Sequence, residues 1–86
     1  MRSADQVRAV RDRLRRTSAA FAVVRRVLAL AGDATAPALE HALSRWFRPA
    51  TVRQALTELR LAGLAERTRR RRRTRAGKTA YVWRAR

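Results

Sequence analysis

Thr51-Val52-Arg53-Gln54-Ala55-Leu56-Thr57-Glu58-Leu59 continues through Arg60-Leu61-Ala62-Gly63 into Leu64-Ala65-Glu66-Arg67. Projected at about 100° per residue, Val52, Ala55, Leu56 and Leu59 fall on one side. Ala50, Arg53, Gln54, Thr57 and Leu61 lie on or beside the other. The spacing predicts an amphipathic helix that opens at Pro49, where a missing N–H costs nothing. It stops at Gly63, with Leu64 as the hydrophobic contact of a left-handed glycine terminator. Acids are scarce on the outward face, where only Glu58 lies at the margin.

Beyond the glycine the period changes to two. Leu64 to Thr68 and Thr79 to Arg84 read as strands, with Ala76-Gly77 in the loop between them. The result is a hairpin whose tip holds most of Arg69 to Lys78. Tyr81 and Trp83 share one face, expected to cover the core. Residues 66–86 carry nine Arg and Lys78 against Glu66, a net of +9 out of +16 for the whole chain. The five consecutive arginines Arg69 to Arg73 are either a solvated run that keeps the protein soluble or a contact surface. Contact is favoured, because charges this dense repel one another unless a polyanion neutralises them.

Upstream, Thr35 is a suitable N-cap for a second helix, with Pro37 in its first turn and Ala38, Leu39, Ala42 and Leu43 on its apolar face. His41, the single histidine, is assigned no role, since a lone His on a short amphipathic helix is seldom a metal ligand. Ser44 to Arg48 breaks the pattern, and Trp46 or Phe47 is expected to plug the space between helices. Further back, Val7, Val10, Leu14, Phe21, Val24, Leu28 and Ala31 recur at helical spacing. They predict either one helix of about 27 residues at roughly 1.5 Å each or two that meet near Thr17-Ser18. Ser18 as an N-cap and Thr17 as a weak helix former favour a break. Gly32-Asp33 ends the segment. Residues 1–17 are then a basic N-terminal helix and 18–86 the main domain. The narrow Val7/Val10/Leu14 stripe suits a homodimer contact, a clamp on a nucleic-acid backbone, or packing on its own domain.

Eighty-six residues allow one compact domain and no deep enzyme cleft. There are 22 Lys+Arg against 6 Asp+Glu, and the pI is near 12.0, which points to a polyanionic partner. All but one of the basic residues are Arg, the side chain that grips phosphate and guanine edges bidentately. With no Cys, one His and scattered acids, no nucleophile–base pair, zinc spacing or phosphate loop can be argued. The expectation is a non-enzyme without cofactor, metal or small-molecule effector. No signal-peptide run follows Met1, and Arg25-Arg26 splits the longest apolar stretch. The chain therefore reads as cytoplasmic, associated with the nucleoid and not with a membrane.

The segment from Thr51 to Leu59, then Ala62-Gly63-Leu64-Ala65-Glu66-Arg67, resembles the recognition helix and first wing strand of bacterial winged helix-turn-helix regulators. Gly77-Lys78-Thr79-Ala80-Tyr81-Val82-Trp83-Arg84 is similar to their closing wing strand. The likeness covers residues 18 to 84 and implies a mainly α fold with a small β-hairpin wing (α+β), to which the helical spacing upstream adds an N-terminal helix, and transcription regulation through double-stranded DNA. Two departures stand out. Leu43 to Thr51 is longer than the usual tight turn, so the helices meet at an unusual angle or the second runs past Ser44. No effector-binding domain is expected after the wing.

Arg53, Gln54 and Thr57, with the small Ala50 permitting close approach, suit base reading: Arg grips guanine O6 and N7, Gln adenine N6 and N7, and Thr a donor or a thymine methyl. Arg48 and Arg60 are expected on flanking phosphates. Arg69, Arg70, Arg71, Arg72, Arg73, Arg75 and Lys78 would set the wing along the backbone or into a narrow minor groove. Two other functions use the same residues: a non-specific nucleic-acid binder, nucleoid- or RNA-associated, and a winged module that docks an acidic protein surface in a larger assembly.

Overall fold

A computed structural model describes residues 3–86, with 9–18 described by backbone alone. The architecture is α+β: α1 (Ala4–Ala31), β1 (Asp33–Thr35), α2 (Ala36–Ala42), α3 (Pro49–Leu61), β2 (Ala65–Arg73) and β3 (Thr79–Ala85). The three strands form one antiparallel sheet in the order β1-β3-β2.

α1 departs from expectation by running unbroken for 28 residues. Ser3 and Gln6 close a reciprocal capping box at its start. A break at Thr17-Ser18 would have required a second nucleation, which costs more than the few tenths of a kcal/mol by which Thr and Ser lower helix propensity. Among the described residues, no helix is long and apolar enough to cross a membrane.

α2 begins as the sequence predicts, with the Thr35 hydroxyl accepting from the Ala38 N–H at 3.2 Å. It ends at Ala42, so it does not run past Ser44. A turn over residues 43–47 follows, in which Trp46 and Phe47 both donate backbone N–H to the Leu43 carbonyl. Phe47 packs against the core, whereas Trp46 is 67% exposed. α3 starts on Pro49 and ends in the expected glycine stop. Gly63 sits at φ +74°, its N–H bonds to the Arg60 carbonyl at 3.0 Å, and the Leu64 N–H reaches back to Leu59 at 2.9 Å, a Schellman closure.

The core lies where the three helices meet one side of the sheet. Val24 and Leu28 of α1, Leu39 of α2, Leu43 of the turn, and Val52, Ala55, Leu56 and Leu59 of α3 bury one another together with Ala65 and Trp83. Tyr81 shares the Trp83 face but stays 38% exposed, so only part of that face covers the core.

The hairpin is longer and more regular than the sequence suggests. β2 extends through Arg73, so the arginine run lies in a strand and only residues 74–78 form the turn. The Thr74 N–H bonds to the Lys78 carbonyl at 2.7 Å, and Gly77 supplies the positive φ of +79°. Ladder hydrogen bonds use backbone groups and are indifferent to side-chain charge. An exposed edge strand also tolerates charged side chains well. Pairing is interrupted once, between Arg67 and Arg71. There the Thr68 hydroxyl donates to the Val82 carbonyl at 2.7 Å and accepts from the Arg70 N–H at 3.2 Å, so Arg69 and Arg70 bulge out of the ladder.

Candidate nucleic-acid interface

The helical period places Ala50, Arg53, Gln54 and Thr57 along one stripe of α3, and all four are exposed. The opposite stripe, Val52, Ala55, Leu56 and Leu59, is buried, which fixes the direction in which the polar stripe points. Arg48 occupies the N-cap position without a side-chain capping bond, and Arg60 lies in the last turn; both are exposed. Leu61, which the wheel places beside the same stripe, is 83% exposed.

The polar side chains of the stripe have neighbours, yet each keeps hydrogen-bonding capacity. Arg53 Nε lies 3.2 Å from Glu40 Oε1 of α2 and 3.4 Å from the Pro49 carbonyl. Its terminal nitrogens have no partner among the described residues. The Thr57 hydroxyl donates to the Arg53 carbonyl at 3.1 Å, leaving its lone pairs to accept. Gln54 Nε2 donates to Glu58 Oε1 at 3.4 Å, leaving its carbonyl oxygen and one N–H. Such a surface can accept from and donate to base edges.

A groove of about 350 Å³ separates this stripe from the hairpin, with Arg53, Leu56 and Thr57 on one wall and Arg67, Tyr81 and Trp83 on the other. Residues directly opposite in an antiparallel ladder project to the same face. The register therefore puts Arg67 with Trp83, Arg71 with Tyr81 and Arg73 with Thr79 on the groove side. The guanidinium groups of Arg67 and Arg71 stand 5.1 and 4.9 Å from the centre of the Tyr81 ring, within cation–π range. Arg71 Nη2 also donates to the Tyr81 hydroxyl at 3.0 Å. That hydrogen bond, then the charge of Arg71 and to a lesser extent that of Arg67, lowers the Tyr81 pKa against the opposing effect of burial.

The other face of the hairpin is electrically quieter. Arg72 sits opposite Ala80 and pairs with Asp33 of β1 at 2.9 Å, while Arg84 pairs with Glu66 at 2.7 Å. The Arg84 hydrogen bond and charge, aided by Arg86, hold the Glu66 carboxyl below its ordinary range. Arg75, in the turn, contacts the His41 ring. The hairpin end thus leans on α2 across a cleft of about 490 Å³ that Pro37, His41 and Arg72 help to line.

The expected hairpin set is therefore not one patch. Arg71 and Arg73 lie on the groove face, Arg69 and Arg70 in the bulge, Arg75 and Lys78 in the turn, and Arg72 is tied to an acid on the far side. Arg67, which the sequence suggested only as a strand residue, forms the groove wall with Tyr81, whose face was expected to cover the core. Their signal was the period of two along the strands, which a displacement of two residues leaves in phase. Glu40 carried no sequence signal, and Asp33 only that of a helix end. Of the N-terminal stripe, Val7 is 44% exposed, and the side chains of Val10 and Leu14 lie outside the described residues. Among the described residues, no three His, Asp or Glu are grouped as a metal site would require. No protein-family model, curated protein or solved structure matches the chain.

Proposed function

We propose that the chain is a winged helix-turn-helix protein that binds double-stranded DNA sequence-specifically, as a small transcriptional regulator working at the nucleoid. In this reading α3 enters the major groove, where Arg53, Gln54 and Thr57 meet base edges and Ala50 allows close approach. Arg48 and Arg60 hold flanking phosphates. The β2–β3 hairpin is the wing: Arg67, Arg71 and Arg73, with Arg69 and Arg70 from the bulge, follow the adjoining backbone.

One observation carries the reading. The groove between α3 and the hairpin has Arg53 and Thr57, which suit base edges, on one wall and Arg67 on the other, with Arg71 and Arg73 on the same hairpin face; among the described residues these three hairpin arginines have no carboxylate partner. Sequence-reading and backbone-holding contacts are the two classes that a specific DNA interface needs.

Selection of bound duplexes from a random pool, followed by affinities at matched salt, tests it. A defined preferred sequence is expected, with random duplex bound at least about a thousandfold more weakly. Equal affinity for selected and random duplexes, or for RNA, replaces this reading with a non-specific binder. Two half-sites about one helical turn apart in the selected pool would indicate a dimer, for which α1 is the candidate contact.

A further inference from the structure

We infer that Glu40 is a positioning residue for Arg53, setting the orientation with which that guanidinium meets a base; the inference rests on the base-reading role proposed above. Glu40 comes from α2, and its carboxylate attracts the Arg53 guanidinium as an ion pair, with Oε1 3.2 Å from Nε. The Nε–H donates to the Pro49 carbonyl at 3.4 Å. A guanidinium is planar, so anchoring Nε restricts the plane in which both terminal nitrogens lie. Those are the nitrogens that a guanine edge engages as a pair.

Both anchors stand on rigid ground. Leu39, beside Glu40, and Leu56, one turn beyond Arg53, are fully buried in the same core. The Glu40 side chain is itself 21% exposed against 63% for Arg53. The carboxylate thus sits behind the arginine and leaves its outer end uncovered. Its charge is also informative. In a chain with six acids and a net charge of +16, an acid next to a surface meant for a polyanion weakens attraction to every sequence. Its geometric effect on Arg53 favours only those sequences whose bases match. Sequence preference and overall attraction therefore change in opposite directions when it is removed.

The test compares the unsubstituted chain with Arg53→Ala, Glu40→Ala and Glu40→Gln on the selected duplex and on single-base-pair variants of it. Arg53→Ala should abolish discrimination at one base pair, by roughly tenfold or more. Glu40→Ala should remove most of the discrimination at that same base pair and no other, while binding unrelated duplex more tightly. Glu40→Gln keeps the side chain's length but not the charge that attracts the guanidinium, and should lose discrimination at that base pair much as Glu40→Ala does. Uniformly tighter binding by Glu40→Ala, with discrimination intact, overturns the positioning role and leaves base reading by Arg53 standing. An Arg53→Ala variant that discriminates as before overturns the base-reading role and this inference with it. Matching thermal melts of the variants would show that the differences are not differences in folding.

Discussion

Arg71 and Arg72 are adjacent in the chain and serve opposite sides of the hairpin. Arg71 stacks on Tyr81, donates to its hydroxyl and faces the groove beside α3. Arg72 projects away and meets Asp33 across the sheet. The pleat makes this division, because alternate residues of a strand point to alternate faces. What looks in sequence like a single block of charge is therefore sorted. An arginine held on an aromatic ring keeps its full charge available to a polyanion, whereas one paired with a carboxylate adds little net attraction. In the proposed function, Arg71 belongs to the DNA contact and Arg72 to the fastening of the wing onto β1.

The largest effect removes the setting for the comparison. Trp83 shares the Arg71 and Tyr81 face but is buried, and it ties β3 to the three-helix core. Trp83→Ala should destabilise the domain by about 3–5 kcal/mol, measured by denaturant titration. Both faces of the hairpin should be disrupted together. Survival of the fold near its original midpoint would mean that the hairpin is not held through this residue.

Next comes the contrast between α3 and the hairpin. Arg53→Ala should cost about 1–3 kcal/mol of discrimination at one base pair. Arg71→Ala should weaken all duplexes alike. If Arg53→Ala also lowers every affinity by one factor, the division into reading and holding fails.

Within the hairpin the predicted effect is smaller and sharper. Arg71→Ala should flatten the dependence of log affinity on log salt by about 0.9, the increment that neutralising a single phosphate contributes on duplex DNA. Arg72→Ala should leave that slope nearly unchanged and cost at most about 1 kcal/mol of stability, since the Asp33 pair is exposed. Equal slopes for the two variants would contradict the sorting.

The helices and the glycine stop were legible because their signals are local. Pro49, the Val52/Ala55/Leu56/Leu59 stripe and Gly63 each act through their own few residues. The stripe carrying Arg53, Gln54 and Thr57 was legible for the same reason, as the complement of the buried one. The groove facing it was not, because its geometry depends on register. Thr68 bonds Val82 and displaces two residues from the ladder, which brings Arg71 instead of Arg69 opposite Tyr81. β1 was likewise hidden: three residues are too few for a period, and Asp33 gains its meaning only from Arg72, far away in sequence. The expected break in α1 failed for a different reason. A potential cap at Ser18 was weighed by its own preference, without the cost of interrupting a helix already formed.

The smallest effect is spectroscopic and asks only about Arg71 and Arg72. Tyr81 is the sole tyrosine, so tyrosinate absorbance in the near ultraviolet follows one group. Its pKa is lowered, first by the Arg71 hydrogen bond and then by the Arg71 charge, so ionisation should begin below the ordinary value of about 10. The sign of the linkage is fixed by that direction. A depressed folded-state pKa favours the folded protein at pH above the unfolded value, and that contribution is lost as pH falls through the folded value. At neutral pH it contributes nothing, and binding experiments there are undisturbed. Arg71→Ala should return the titration towards the ordinary tyrosine value, Arg67→Ala should shift it less in the same direction, and Arg72→Ala should leave it in place. A larger shift from Arg72 than from Arg71 would reverse the register on which the groove, and the assignment of its arginines, depends.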